Sequence, residues 1–198
     1  METLTLFLSA AMTALAIENA VFARGLGLSR GTMFMNGKKE GIIFGGTFTW
    51  LAFANSFFAA LANYLLFDNP LNMYIRPVAF LAGSAIVYIG TSFLVDLVLP
   101  RRLAASVHEA MPISGINSAL YAIFYISALT SLSFIQTVGY SLGTGLGYTA
   151  AILIIYFGRK RLAISPVPRS FRGLPILLIY LGLISLAIYG LIGLSLRT

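Results

Sequence analysis

An all-helical, polytopic membrane protein is the fold class that this sequence predicts, and three observations carry the prediction. Of its 198 residues, 59% are hydrophobic and only 10% are charged, with a mean hydropathy of +0.90. That leaves too little polar surface to cover a water-soluble globule of this size. The apolar residues gather into six tracts, each near the ~20 residues that a helix needs to cross a hydrocarbon core. The tracts are separated by clusters of charge, proline or polar residues, and the basic clusters fall on alternate connections.

The first tract, residues 3–23, carries Glu2 where a signal sequence needs Lys or Arg, so it reads as a retained span with no cleavage. Near its end, IENAVFARGLGLS places Glu18 and Asn19 in otherwise lipid-compatible sequence. The second tract, 41–67, is long enough to tilt or contain a break. The third, 77–99, holds Gly83, Ser84 and Gly90, small residues that let helices approach closely. The fourth, 111–130, opens with PISGINSAL, where Pro112 and Gly115 predict a non-helical part. The fifth, 132–157, contains LGTGLGY, and the sixth is 174–196. No linker divides the chain, so 1–198 reads as one integral membrane domain.

Orientation follows from the Lys and Arg residues. Eleven of the 13 lie on the first, third and fifth connections; only Arg76 and Arg197 lie on the opposite side. By the positive-inside rule both termini are extracytoplasmic, in a multi-pass protein of the cell membrane. The net charge of +7 and the pI near 9.9 are then topological, which argues against nucleic acid as a partner. The sequence holds no cysteine, so disulfides, thiolate metal sites and thiol nucleophiles are excluded. One histidine and scattered carboxylates make a zinc site or a Ser-His-Asp hydrolase improbable. Neither a catalytic residue nor a metal ligand is expected on this chain.

Four features bear on chemistry. Glu18 lies about five residues from the cytoplasmic end of its span, roughly 7.5 Å along a helix. A carboxylate there costs several kcal/mol unless it is neutralised, paired or hydrated. It either pairs with Arg24 or reaches a watery vestibule, or it serves ion or proton passage. Asp96 stands beside Arg101 and Arg102, where an interfacial pair is expected. Gly143, Gly145 and Gly147 have the spacing G-x-G-x-G without the preceding strand of a dinucleotide fingerprint. In a membrane helix they permit close packing, or the close approach of a cofactor, ion or broken-helix partner. The loop GRKRLAISPVPRSFRG, 158–173, is held extended by Pro166 and Pro168. Its Arg159, Arg169 and Arg172 form either a headgroup anchor or a docking surface for a soluble partner.

IENAVFARGLG, YSLGTGLGY and VPRSFRGLPILLIYLGLISLAIYGLIGL together resemble the Rnf/Nqr family of membrane subunits, nearest its RnfA/NqrE branch. The resemblance covers nearly the whole chain, and the VP-x-x-[FL]-RG element is fairly specific. It implies six transmembrane helices arranged as two inverted three-helix repeats, with the first and fourth spans broken. It also implies a homologous six-helix partner in a pseudo-symmetric heterodimer, or a second copy of this chain in a homodimer. Flavoprotein subunits on both sides of the bilayer would complete a redox-driven ion translocase. In the family, a [2Fe–2S] cluster sits between the two six-helix subunits, held by two cysteines from each.

The departure lies at that centre. The family pattern I-E-N-x(6)-L-G-x-C falls on Ile17 to Ser29, with Ser29 at the ligand position. P-x-I-x-x-N-C corresponds approximately to Pro112 to Ser118, where Pro112 and Asn117 match, Ser114 replaces the isoleucine and Ser118 stands at the second ligand position. A serine hydroxyl is harder and far less acidic than a thiol and is a poor substitute for it. His108 and Glu109 also stand where the family is apolar, which favours a divergent relative over a protein altered at two sites. No cofactor is therefore expected on this chain, with flavin and Fe–S in partner subunits if the redox reading holds.

The resemblance further relates Asn19 and Asn117 by internal pseudo-symmetry, each able to hydrogen-bond backbone freed at a helix break. Glu18, Asn19 and Asn117 are the expected ion or solute path. Two function classes follow: a membrane component of an electron-transport, ion-translocating complex, itself non-catalytic, or a cluster-free transporter module for a small solute or ion. A vitamin-uptake binding protein is a weaker form of the second, suggested by small-residue spacing such as Ala10 to Ala14.

Overall fold

A computed structural model describes residues 2–28, 37–66 and 71–195, and every regular element among them is helical. Helix α1 spans Glu2–Met12 and continues as a single π-helical turn, Thr13–Ile17. Helix α2 is Lys38–Leu65, α3 is Asn72–Val98, α4 is Arg101–Gly115 and α5 is Ser118–Leu129. Helix α6 is Phe134–Ile164; a 3-10 turn at Arg169–Phe171 then leads into α7, Leu174–Ser195.

By length and composition α2, α3 and α6 can each cross a membrane, and α4 with α5 adds a fourth candidate if the pair, bent by 52°, counts as one span. The terminal apolar helices are shorter, at Glu2–Ile17 and Leu174–Gly190. Among the expected boundaries, α3 begins at Asn72 rather than 77 and α6 runs on to Ile164 rather than 157. Two further shifts bear on the site. The first helical stretch stops at Ile17 rather than 23, because a polar Glu18–Asn19 pair follows a π turn. The fourth begins at Arg101 rather than 111. Pro100 enters it with extended backbone, and RRLAASVHEA is helical although too polar to register as a span.

Local signals account for the ends. Ser133 starts α6 with a capping box: its hydroxyl accepts from the Gln136 N–H at 3.4 Å while Gln136 Oε1 accepts from the Ser133 N–H at 3.0 Å. Pro112 lies inside α4, where it deletes an intrahelical hydrogen bond shortly before the helix ends at Gly115.

The core is built around α6. Residues Gly139, Gly143 and Gly147 recur every four positions, so they form one stripe, and it lies on the α1 backbone at Phe7, Ala11 and Leu15. A Cβ on any of the three would collide with the peptide groups opposite, so the glycines set the distance between these helices. Gly83 packs similarly on Phe58, whereas Gly90 faces open space.

Helices α2 and α6 cross through a reciprocal motif. A Cβ on Gly45 would lie 2.6 Å from Thr149 Oγ1, and one on Gly145 would lie 2.8 Å from Thr49 Cα. Each threonine hydroxyl donates to the carbonyl four residues back, Thr49 to Gly45 and Thr149 to Gly145, both at 2.8 Å. Between them Phe48 stacks on Tyr148, with ring centroids 4.2 Å apart. The segments GGTFT and GLGYT thus meet antiparallel, with Gly45 at Thr149 and Gly145 at Thr49.

Candidate functional site

Two interruptions in the helices face each other across α6, and an asparagine stands at each. After the π turn, Glu18 N–H donates to Thr13 O at 2.7 Å and the chain leaves helical geometry. Asn19 is buried there. Its Oδ1 accepts from the Val21 and Phe22 N–H groups at 3.0 and 3.2 Å, and its Nδ2 donates to Leu15 O at 3.0 Å. One side chain therefore ties off the old helix and starts the next turn, satisfying amides that lipid or a dry core would leave bare.

Asn117 shares the second half of this work, starting the helix after the break between α4 and α5. Its Oδ1 accepts from the Ala119 N–H at 3.0 Å, the N-cap role that asparagine favours. Its Nδ2 donates to the Tyr148 hydroxyl at 2.9 Å. That hydroxyl donates onward to Gly27 O at 2.7 Å, and the Gly27 N–H returns to Ser118 Oγ at 3.0 Å. The chain after the first break is thereby bolted to the second break through the N–H and the C=O of one residue.

Gly27 is needed for two independent reasons. Its φ is +74°, and an added Cβ would meet Tyr148 Cε2 at 2.5 Å and Asn117 Oδ1 at 2.6 Å. The adjacent pair Gly147–Tyr148 serves both breaks, since a Cβ on Gly147 would lie 2.9 Å from Asn19 Nδ2.

Glu18 has two partners. Its Oε2 accepts from Arg24 Nη2 at 3.0 Å and from the Tyr140 hydroxyl at 2.9 Å. The carboxylate is about one-third exposed, 34% against 40% for Arg24. It opens on a crevice of about 180 Å³ walled by Ala119, Ile123 and Thr144, too constricted in this conformation to admit a water-sized sphere. Of the two structural options for Glu18, the pair with Arg24 is the one formed.

The expected site residues therefore divide. Glu18 and Asn19 adjoin, and Asn117 and Ser118 join them through Gly27 and Tyr148. Ser29 lies outside the described residues, two positions beyond Gly27. Gly143 and Gly147 line α1, while Gly145 belongs to the crossing with α2. Arg159 and Arg172 line a separate cleft at the end of α6, and Arg169 is exposed beside it. Asp96 pairs not with Arg101 or Arg102 but with His108, at 2.7 Å, further along the amphipathic α4.

The residues at the meeting of the two breaks do not fit an iron–sulfur cluster. Such a cluster needs thiolates; the sequence has no cysteine, and Ser118 Oγ is engaged as a neutral acceptor. Among the described residues no group of three His, Cys, Asp or Glu could hold a metal ion.

Tyr140 and Tyr148 were missed from sequence. Each sits in a strongly apolar helix, where a tyrosine reads as bulk. The signal that could have found Tyr148 is the G-x-x-[FY]-T echo between 45–49 and 145–149.

Comparison with known proteins sets these features in a family. The family model described as Rnf-Nqr subunit, membrane protein, matches residues 7–195. Among curated relatives, the A component of the ion-translocating oxidoreductase complex of Aeromonas salmonicida is 31% identical over 196 residues, covering 96% of this chain and 98% of that one. The same-named component of Pectobacterium atrosepticum is 30% identical, covering 91% and 93%. The A component of the Na(+)-translocating ferredoxin:NAD(+) oxidoreductase complex of Acetobacterium woodii is 27% identical, covering 93% and 96%.

Proposed function

The chain belongs to the Rnf-Nqr family of membrane subunits, and from that membership we propose that it is the counterpart of the A component in an electron-transport, ion-translocating oxidoreductase complex. The observation that carries this reading is the match over residues 7–195, with A-component relatives aligned over nearly their full length. The two asparagine-capped breaks support it as well. Non-helical backbone at membrane depth is tolerated where it lines a site or is buried in protein, and here two such segments converge on Tyr148.

The full architecture we propose is one domain of six spans in two inverted three-helix repeats. The antiparallel α2–α6 crossing, with GGTFT on GLGYT, supports that reading, because equivalent helices of inverted repeats would meet through reciprocal contacts of this kind. The terminal helices supply the first and last spans, and the basic connections face the cytoplasm. A homologous six-helix subunit is the natural partner, with flavin and Fe–S centres in other subunits.

The chain itself is read as cluster-free. Ser29 and Ser118 stand at the family's ligand positions, and Ser118 spends its oxygen on the Gly27 amide. Ion passage is assigned to the side of the site that bears charge. Glu18 supplies the carboxylate, Arg24 and Tyr140 hold it when the crevice is closed, and release of either partner would free it to meet an ion or proton.

The absence of cysteine also favours a second reading, in which the same scaffold serves as a solute or ion transporter without redox partners. One experiment separates the two. The tagged chain is purified from its native membranes in mild detergent and its companions are identified. The first reading expects flavin-containing subunits and a second Rnf-Nqr-type subunit, with iron and the electron paramagnetic resonance signal following those companions. Copurification with an ATPase pair, or a solitary chain that retains a solute, would replace it with the second.

A further inference from the structure

We propose that the elbow between α6 and α7 is a binding site for the phosphate of an anionic glycerophospholipid. A cleft of about 540 Å³ opens there, lined by Arg159, Lys160 and Arg172 and by the first turn of α7 at Gly173 and Ile176, with no carboxylate among its lining residues. Lys160 and Arg172, with no carboxylate among the lining residues, raise the local potential for an anion.

The cations are placed rather than loose. Arg172 Nε donates to Val167 O at 2.9 Å, and its terminal nitrogens make no other hydrogen bond among the described residues. The Lys160 ammonium sits 4.9 Å from the centroid of the Tyr156 ring, which lines the same cleft. Gly173, with φ +86°, turns the chain so that α7 begins at the cleft. Its first intrahelical bond, Leu177 N–H to Gly173 O, leaves the Leu174 and Ile176 amides without an intrahelical acceptor, so the positive end of the helix dipole adds to Lys160 and Arg172.

What selects a lipid over a free anion is the apolar skirt. Phe157, Ile164, Leu174 and Leu178 are all exposed around this elbow, Ile164 at 85%. Acyl chains would lie along them while the phosphate enters the cleft. A basic pocket between membrane helices at the headgroup level is a recognised setting for anionic headgroups. This inference does not depend on the redox reading, because its readout is lipid retention.

The test loads the full-length protein into bilayers of phosphatidylcholine with and without phosphatidylglycerol. The lipid that stays bound is then measured by native mass spectrometry. Wild type is expected to retain phosphatidylglycerol selectively. K160Q/R172Q should lose that retention by roughly 30-fold, about fivefold for each charge removed near the surface. R161Q/R169Q removes the same charge from the same loop outside the cleft and should retain lipid like wild type. Equal losses in both doubles would show diffuse surface attraction and overturn the site. Displacement of phosphatidylglycerol by millimolar inorganic phosphate would assign the cleft to a small anion instead. Absence of any phosphatidylglycerol preference in wild type, which needs no variant to fold, would also overturn it. So would loss of a copurifying protein, without loss of lipid, in K160Q/R172Q.

Discussion

The two helix breaks use one backbone device in two electrostatic settings. At both, an asparagine accepts the N–H two residues ahead, Asn19 from Val21 and Asn117 from Ala119. Around Asn117 every further partner is neutral: Tyr148, the Gly27 backbone and Ser118. Beside Asn19 stands Glu18, with Arg24 and a second tyrosine, Tyr140, on its carboxylate. A neutral hydrogen-bonded cluster built on the buried Asn117, Tyr148 and Gly27 is a clamp, costly to break and without charge to offer an ion. A carboxylate held by one cation and one hydroxyl is a latch, because either partner can leave. On the proposed function, interruption of a helix does not itself define a passage; the charge beside the interruption does.

The clamp is expected to be most sensitive at Gly27. Gly27→Ala combines left-handed strain with collision against Tyr148 and Asn117, and should lower stability by about 3 kcal/mol or more. Gly25→Ala is the control: φ is +66° but no atom lies within 4 Å, so it should cost only about 1–2 kcal/mol. Equal losses in a steric-trapping measurement would show that the Tyr148–Asn117 contact contributes nothing.

Next come the asparagines. Asn117→Ala removes a helix cap and a buried donor to Tyr148, and Asn19→Ala removes an acceptor that serves two amides at once; each should cost about 2 kcal/mol. If the device is shared, the two losses match within about a factor of two. A large disparity in unfolding free energy would break the equivalence of the breaks.

Smaller effects separate the tyrosines. Tyr148→Phe leaves Gly27 O and Asn117 Nδ2 unpaired in a buried place and should cost about 1–3 kcal/mol, whereas Tyr140→Phe acts on a partly exposed carboxylate and should cost under about 1 kcal/mol. Thermal melts in detergent that reverse this order would contradict the assignment of clamp and latch.

Much of this contrast was legible in the sequence. Glu18, Asn19 and Asn117 are polar residues in apolar tracts, and Pro112 and Gly115 announce a helix end, so the second break was legible in the residues. The first followed only from the family resemblance, and the span was otherwise read through to 23. The pairing of Glu18 with Arg24 was one of the options, because six residues separate them. What composition could not convey was Tyr148, since a hydroxyl joining residues 27 and 117 is a matter of tertiary placement. Helix α4 was hidden for another reason. Hydropathy scans detect membrane spans, and RRLAASVHEA is an amphipathic helix that needs no lipid around it. The same blindness assigned Asp96 to the nearest arginines, whereas the helical turn brings His108 to it instead.

Ion uptake by vesicles carrying the assembled complex, driven by its electron donor and compared between wild type and Glu18→Gln, tests the division into latch and clamp most directly. Glutamine keeps the size and hydrogen bonding of Glu18 and removes its charge, so folded protein should change by less than about 1 kcal/mol in stability. Coupled uptake should fall about tenfold or more if, as proposed, the carboxylate is the ion-facing group at the charged break. Full uptake by Glu18→Gln, with the complex intact, would contradict the account and make Glu18 a structural partner of Arg24 and Tyr140.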